Sequence, residues 1–412
     1  MSPPGAGGAR VIVVGAGPAG AALAYLLARR GVEVTLLERH TDFAREFRGE
    51  VLLPGGLDAI DQMGLWDAFE RIDHVKLEAL EVYVNRERRL HMQFAPESFG
   101  RFAPRWVSQP ALLEMLVGKS AAFPGFRLER GATVRALLED GGRCAGVRVL
   151  SAAGESELRA DLVVGCDGRG SVVRRRAELP EAQDPVPMDV VWCKLPLPDF
   201  AARDRSFRGY LGGGHLLLAA PVYGGLMQIA WIIRKGAFGA LRDRGMSACL
   251  EEMAKHVSPD LAEHLRRHAH DAVHPFLLST VSDRALAWTR PGVLVIGDAA
   301  HTMSPVGAQG LNIALRDALV AANRLVPVLL EGGGAAALDA AARAVQDERA
   351  PEVREIQRLQ ALPPHVLFRD VWWTRLILRL VPLLLGSELA RGRRALVVRR
   401  FLFGAREVRL AV

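Results

Sequence analysis

Three glycine-rich signals stand at the ends of apolar runs, and together they restrict what this chain can fold into. They are VIVVGAGPAG at residues 11–20, LVVGCDGRGSVVRR at 162–175 and LVIGDAAHTMSPVGAQGLNIALRDA at 294–318. Each reads as a buried strand that runs into glycines with an acid close by. That geometry brings backbone near a ligand and offers a carboxylate to sugar hydroxyls. In the first signal the β-branched run 11–14 suits a central parallel strand. Gly15, Gly17 and Gly20 form GxGxxG: a tight turn, a close backbone approach to pyrophosphate, and close packing of helix on strand. Pro18 and Ala19 sit inside that turn. The next segment, AALAYLLARRG, reads as a helix ending at Gly31, with N-terminal amides suited to phosphate. The strand VEVTLLE then ends at Glu38, 18 residues past Gly20, where an acid meets the ribose of an adenosine. Arg39 follows it. Three such signals in one chain point to one long dinucleotide touched from several sides.

The rest of the chain is consistent with that. At 412 residues, half of them hydrophobic, it has ample core for two or three domains. The pattern predicts an α/β fold with interleaved segments. A Rossmann-like domain takes residues 10–75, 105–180 and 285–330. A β-rich domain takes 76–104 and 181–284 and forms a roof over the ligand. A helical segment, 331–412, closes the chain. Cys144, Cys166, Cys193 and Cys249 form no CxxC pair. That argues against a disulfide framework or a zinc site and suits a reducing cytoplasm. The lead MSPPGAGGAR has no apolar stretch of the kind a signal peptide needs.

Charge sets further bounds. The net charge is +7, and five of the 53 basic residues are lysine. Residues 386–412 carry seven arginines against Glu388 and Glu407, so most of the excess sits at one end. A nucleic-acid binder would spread its basic surface over the fold, so none is expected as a partner. In 362–386, Arg369, Asp370, Arg375, Arg379 and Pro382 interrupt the apolar stretch, which is too broken for a spanning helix. Two readings remain. Leu376, Leu380 and Leu383 pack on the first domain, or Trp372 and Trp373 meet a membrane surface beside the basic end. The expected location is cytoplasmic, with peripheral membrane contact as the second reading.

Taken together, GAGPAG with Glu38, GCDGRGSVVRR and GDAAHTMSPVGAQGLNIALRDA resemble the FAD-dependent aromatic hydroxylases. These are the single-component flavoprotein monooxygenases typified by p-hydroxybenzoate hydroxylase. The likeness spans roughly residues 10–360. It implies a Rossmann-like FAD-binding domain interleaved with a β-rich substrate-binding domain, plus C-terminal helices. It further implies non-covalent FAD, NAD(P)H as a co-substrate without its own domain, and O2. By that likeness Asp298, after Gly297, binds the ribityl chain, and Pro305 lies near the flavin ring. Gly310, Leu311 and Asn312 present a helix N-terminus to the flavin. Arg48 and Gln109 match contacts to the pyrophosphate or ribityl, Val134 a contact to adenine, and Asp167 an acid serving FAD and the nicotinamide. The implied reaction is hydroxylation of an electron-rich, mostly apolar aromatic small molecule through a C4a-hydroperoxyflavin, in secondary metabolism.

A reductase or halogenase on the same fold, or a non-catalytic flavin-binding protein, are the alternatives. Trp231-Ile-Ile-Arg departs from the WxWxIP segment of flavin halogenases. Substrate-stimulated NAD(P)H oxidation would separate an enzyme from a binding protein. No catalytic base is legible. His301 reads as a structural histidine. His264 and His268 have metal-like spacing without HExxH, and read as a solvated helix face; no metal is expected. Tyr210, His215, Tyr223 and Trp231 fall in the β-rich layer, as core residues or as groups that orient a phenol.

Overall fold

A computed structural model describes residues 10–44, 50–184, 188–212, 214–271, 273–279, 282–305, 307–367 and 399–412. Its first layer is a six-stranded sheet. In spatial order the strands are Thr289–Arg290, Val293–Val295, Leu162–Gly165, Arg10–Val14, Glu33–Glu38 and Phe126–Arg130. All neighbours pair in parallel except the short edge strand, which is antiparallel. Val11, Ile12, Val13, Val163 and Val164 are buried, which is why the central strands are unbroken apolar runs. Helix Pro18–Arg29 begins with Pro in its first turn, directly after Gly17. It packs on the opening strand because Gly20 has no side chain. A Cβ there would fall 2.0 Å from the Gly15 carbonyl oxygen. Gly15 itself turns at φ +98°, and a Cβ there would meet Cys166 O at 2.6 Å. All three glycine signals therefore converge at the carboxyl end of this sheet.

The second layer is a seven-stranded sheet. Its order is Val273–Ser279, Met188–Pro196, Leu226–Arg234, His215–Val222, Ser206–Gly212, Ala79–Val84 and Glu87–Gln93. The hairpin at Asn85 and Arg86 turns through positive φ at both residues. Strand Leu226–Arg234 shows how the two faces divide. Met227, Ile229, Trp231 and Ile233 pack with Leu250, Met253, Leu261 and Leu265 of helices Met246–Ala254 and Pro259–Arg267. Ala230 and Ile232 join Trp106, Trp192 and Leu53 on the other face. The period of two decides which residues can reach the space between the layers.

Two long helices, Gln309–Leu330 and Ala335–Leu367, flank the first sheet. Residues 399–412 return across the first of them. Gln309 Nε2 donates to Phe401 O (2.7 Å), Arg316 Nη1 to Phe403 O (3.1 Å) and Asn323 Nδ2 to Arg409 O (2.7 Å). Gln62 Nε2 reaches Val408 O at 3.0 Å from the other side. All four cysteines are buried and free. No helix among the described residues is long and apolar enough to cross a membrane. Residues 368–386, on which the two readings of the C-terminal segment turned, lie outside the described residues.

Candidate active site

A cavity of about 960 Å3 opens between the two layers. That is the upper end of the roughly 300–1,000 Å3 usual for ligand sites. One wall carries the sequence signals: Gly15, Gly17, Pro18, Ala19, Glu38, Arg39, Val134, Asp167 and Asp298 all line it. Gly17 caps helix Pro18–Arg29 without any side-chain hydrogen bond. A Cβ on Gly17 would find nothing nearer than 4.0 Å. The first-turn amides thus face open space that suits an anion. Glu38 is buried and accepts from Ala16 N and His40 N, both at 3.0 Å. It therefore braces the glycine turn while lining the cavity. Arg39 Nε donates to His40 Nε2 at 2.9 Å.

The two other acids differ in what holds them. Asp167 Oδ1 accepts from Ser171 Oγ (2.5 Å), and its Oδ2 from Val172 N (2.6 Å) and Val173 N (3.2 Å). It closes the start of helix Val172–Arg176, a duty the sequence reading did not assign. Asp298 faces Arg169 Nε at 3.5 Å and is about a third exposed. Gln109 begins helix Gln109–Ser120, capped by Ser108 Oγ on Ala111 N (3.4 Å).

At the other end of this wall, Pro305, Gly307, Ala308, Gly310 and Leu311 line the cavity. Ala308 takes φ +53°, ψ +40° as the cap of helix Gln309–Leu330, again without a side-chain cap. Its N-terminus is left available to a negative ligand. Three of the expected residues do not line the cavity. Asn312 does not line the cavity; its Oδ1 accepts from Leu53 N (2.8 Å), and its Nδ2 donates to Val51 O (3.1 Å) and Ala308 O (2.7 Å). Gly297 lies behind the wall, where its N–H donates to Asp317 Oδ2 at 3.0 Å. Gly20 serves packing, as described above. Arg48 lies outside the described residues.

The opposite wall is apolar and aromatic. Leu80, Met92, Trp192, Phe207, Leu218, Ala220 and Ala230 come from the second sheet, with Trp106 beside them and Phe401 and Leu402 from the returning tail. Sequence reasoning missed Glu50, the residue that fixes Trp106. Glu50 is buried and accepts from Trp106 Nε1 (3.2 Å) and Tyr223 Oη (2.8 Å). Burial pushes its carboxyl up, against the pull of Tyr223, Lys194 and Trp106. Its only sequence signal was its place in FRGE after Arg48.

Apart from Tyr223, which donates to Glu50, the aromatic candidates of the β-rich layer fall elsewhere. Tyr210 and Trp231 are buried on the far face of the sheet, Tyr210 hydrogen-bonded to Ser258 Oγ (3.1 Å). His301 is a buried partner of Asp317, Nε2 to Oδ2 2.6 Å. His264 is not on a solvated face. It is buried, its Nε2 lies 2.8 Å from Pro196 O, and burial pushes its pKa down. Leu261, three residues before it and buried, carried the signal: residues three apart share a helix face. His215, Glu252 and His256 also cluster on the far face, at metal-like separations. Trp231 Nε1 donates to His215 Nδ1 at 3.2 Å. That bond takes one imidazole lone pair and leaves the ring proton on Nε2, so His215 is not set up as a ligand.

The chain matches the family described as FAD binding domain over residues 8–358. It is 35% identical over 368 residues to the 6-methylpretetramide 4-monooxygenase of Streptomyces rimosus, covering 87% of this chain and 84% of that protein. It is 29% identical over 332 residues to squalene epoxidase 1 of Arabidopsis thaliana, covering 78% of this chain and 60% of that protein. The solved p-nitrophenol 4-monooxygenase of Pseudomonas putida DLL-E4 superposes with a TM-score of 0.79 at 21% identity, over 97% of this chain and 99% of that one. That last likeness is one of fold. The chain belongs to the FAD-binding family, within the FAD-dependent aromatic hydroxylases.

Proposed function

We propose that this family member is an NAD(P)H-dependent monooxygenase. Its substrate is an electron-rich, mostly apolar aromatic small molecule, and its reaction belongs to secondary metabolism. One observation carries the reading: a single cavity has a dinucleotide cradle on one wall and an apolar, aromatic wall opposite. The residues fit FAD. The open Gly17 turn suits the pyrophosphate, Glu38 the adenosine ribose, and Asp298 the ribityl hydroxyls. The uncapped start of helix Gln309–Leu330 suits the electron-rich end of the flavin ring. The monooxygenase name of the relative from Streptomyces rimosus supports the same chemistry.

Bound FAD would supply the redox step, taking a hydride from NAD(P)H and activating O2 at its C4a carbon. The chain's own work is placement and dryness. Trp106, Trp192 and Phe207 offer flat apolar surface to a ring, and Trp106 is held by Glu50. Phe401 and Leu402 cover one side. Water is thereby kept from the reacting atoms. The test is NAD(P)H oxidation by the purified yellow protein, screened against aromatic compounds. Stimulation by a phenol or polyphenol above the unliganded rate is expected. Oxidation that no aromatic compound accelerates, or bromide- or chloride-dependent turnover, would count against hydroxylation.

A further inference from the structure

One polar side chain in the apolar wall has no role in anything described so far. Gln228 is 3% exposed and lines the cavity. Its amide oxygen is buried without a partner, and its side chain makes no hydrogen bond among the described residues. Gln357 also leaves an amide oxygen unpaired. Its N–H groups, however, go to backbone carbonyls. Gln228 holds a whole carboxamide idle. Buried polar groups are nearly always paired, and one that is not calls for a specific reason.

Strand register supplies the surroundings. Gln228 lies between Lys194 on one neighbouring strand and Ala220 on the other. Beyond Ala220 the same face continues with Phe207, which pairs Leu80, which pairs Met92. The floor is therefore small at Ala220, aromatic and aliphatic beyond it, and polar only toward the Gln228 end. A flat ring system can lie on such a floor. A carboxamide at its edge can accept from a hydroxyl and donate to an oxygen beside it.

We propose that Gln228 is the polar anchor of the substrate. It hydrogen-bonds a ring hydroxyl of a multi-ring aromatic compound and so sets which edge of the ring is presented for reaction. The assignment rests on the monooxygenase reading above and names the substrate class within it: a fused-ring phenol. An apolar hydrocarbon would leave the Gln228 carboxamide unpaired and bind more weakly.

The test uses the FAD-loaded enzyme and three probes: 1-anthrol, anthracene and 1-methoxyanthracene. Dissociation constants are read from perturbation of the flavin absorption spectrum. Wild type should bind 1-anthrol at least about tenfold tighter than anthracene, with the ether, which can only accept, between them or equal to anthracene. Gln228→Leu should remove that preference by weakening 1-anthrol alone, while Gln228→Asn retains part of it. Flavin content and melting temperature, measured in parallel, should stay near wild type. Equal weakening of all three probes in Gln228→Leu would mean a packing role and would overturn the proposal. So would a wild type that does not distinguish 1-anthrol from anthracene. If no probe perturbs the wild-type flavin, the aromatic reading of the cavity falls first and takes the anchor with it.

Discussion

Asp298 carries a carboxylate that faces the cavity, with Arg169 at 3.5 Å as its only side-chain ion partner among the described residues. Glu38 and Asp167, by contrast, are tied to backbone amides of their own loops. Asp298 is therefore the acid best placed to give its bonding capacity to a ligand hydroxyl. Asp298→Ala should weaken FAD by roughly ten- to a hundredfold. That is the equivalent of a charge-assisted hydrogen bond of about 1.5–3 kcal/mol. Fluorescence titration of the apoprotein with FAD measures it, and an unchanged dissociation constant would remove Asp298 from the site. At this scale the motif residues were legible because glycine and acid at fixed spacing have few other uses. Asn312 was not. A helix N-terminus says where the backbone amides point, but not that the amide side chain turns back to Val51 and Leu53. Gln228 was silent, since a single glutamine in a strand carries no pattern.

Among the elements, helices Gln309–Leu330 and Ala335–Leu367 are joined by a buried charge network. Asp317 Oδ1 accepts from Arg349 Nε (2.7 Å), while Oδ2 takes His301 Nε2 and the Gly297 amide. Arg349 also pairs with Glu352, which takes Arg316 Nη2 at 2.8 Å. Burial would raise the Asp317 pKa, but the His301 and Arg349 charges outweigh it and hold it at about 2, against 3.8 when free. A carboxyl held low in the folded state adds stability above its free value and loses it as pH falls toward the folded one. Asp317→Asn should therefore cost about 3–5 kcal/mol at neutral pH, because it leaves Arg349 buried with less charge opposite. Urea midpoints should show the gap from wild type narrowing as pH drops below about 4. A gap equal at pH 7 and pH 3 would exclude Asp317 as its source. The network anchors Gly297, and so the Asp298 turn beside it. The strands and helices themselves were readable from period and glycine punctuation. The ties between them were not, because Arg316 to Phe403 or Gln309 to Phe401 joins residues that no local pattern connects.

For the whole molecule, the decisive arrangement is that the two sheets share one cavity. One sheet brings the cradle, the other brings the apolar floor, and the returning tail adds Phe401 and Leu402. The α/β class and the interleaving were visible in the sequence because parallel and antiparallel strands differ in pattern. The floor was not, because Tyr210 and Trp231 look as capable of meeting a substrate as Trp106 and Phe207 do. Only the pairing register sorts strand residues by face. A single-cavity monooxygenase must place activated oxygen and aromatic ring together, out of water. The most direct measurement is mass spectrometry of product formed under 18O2 with NAD(P)H and a fused-ring phenol that stimulates turnover. One atom of 18O per product, with NAD(P)H and O2 consumed in equal amounts, is the predicted result. Product formed without oxygen, or carrying oxygen from water, would contradict the account.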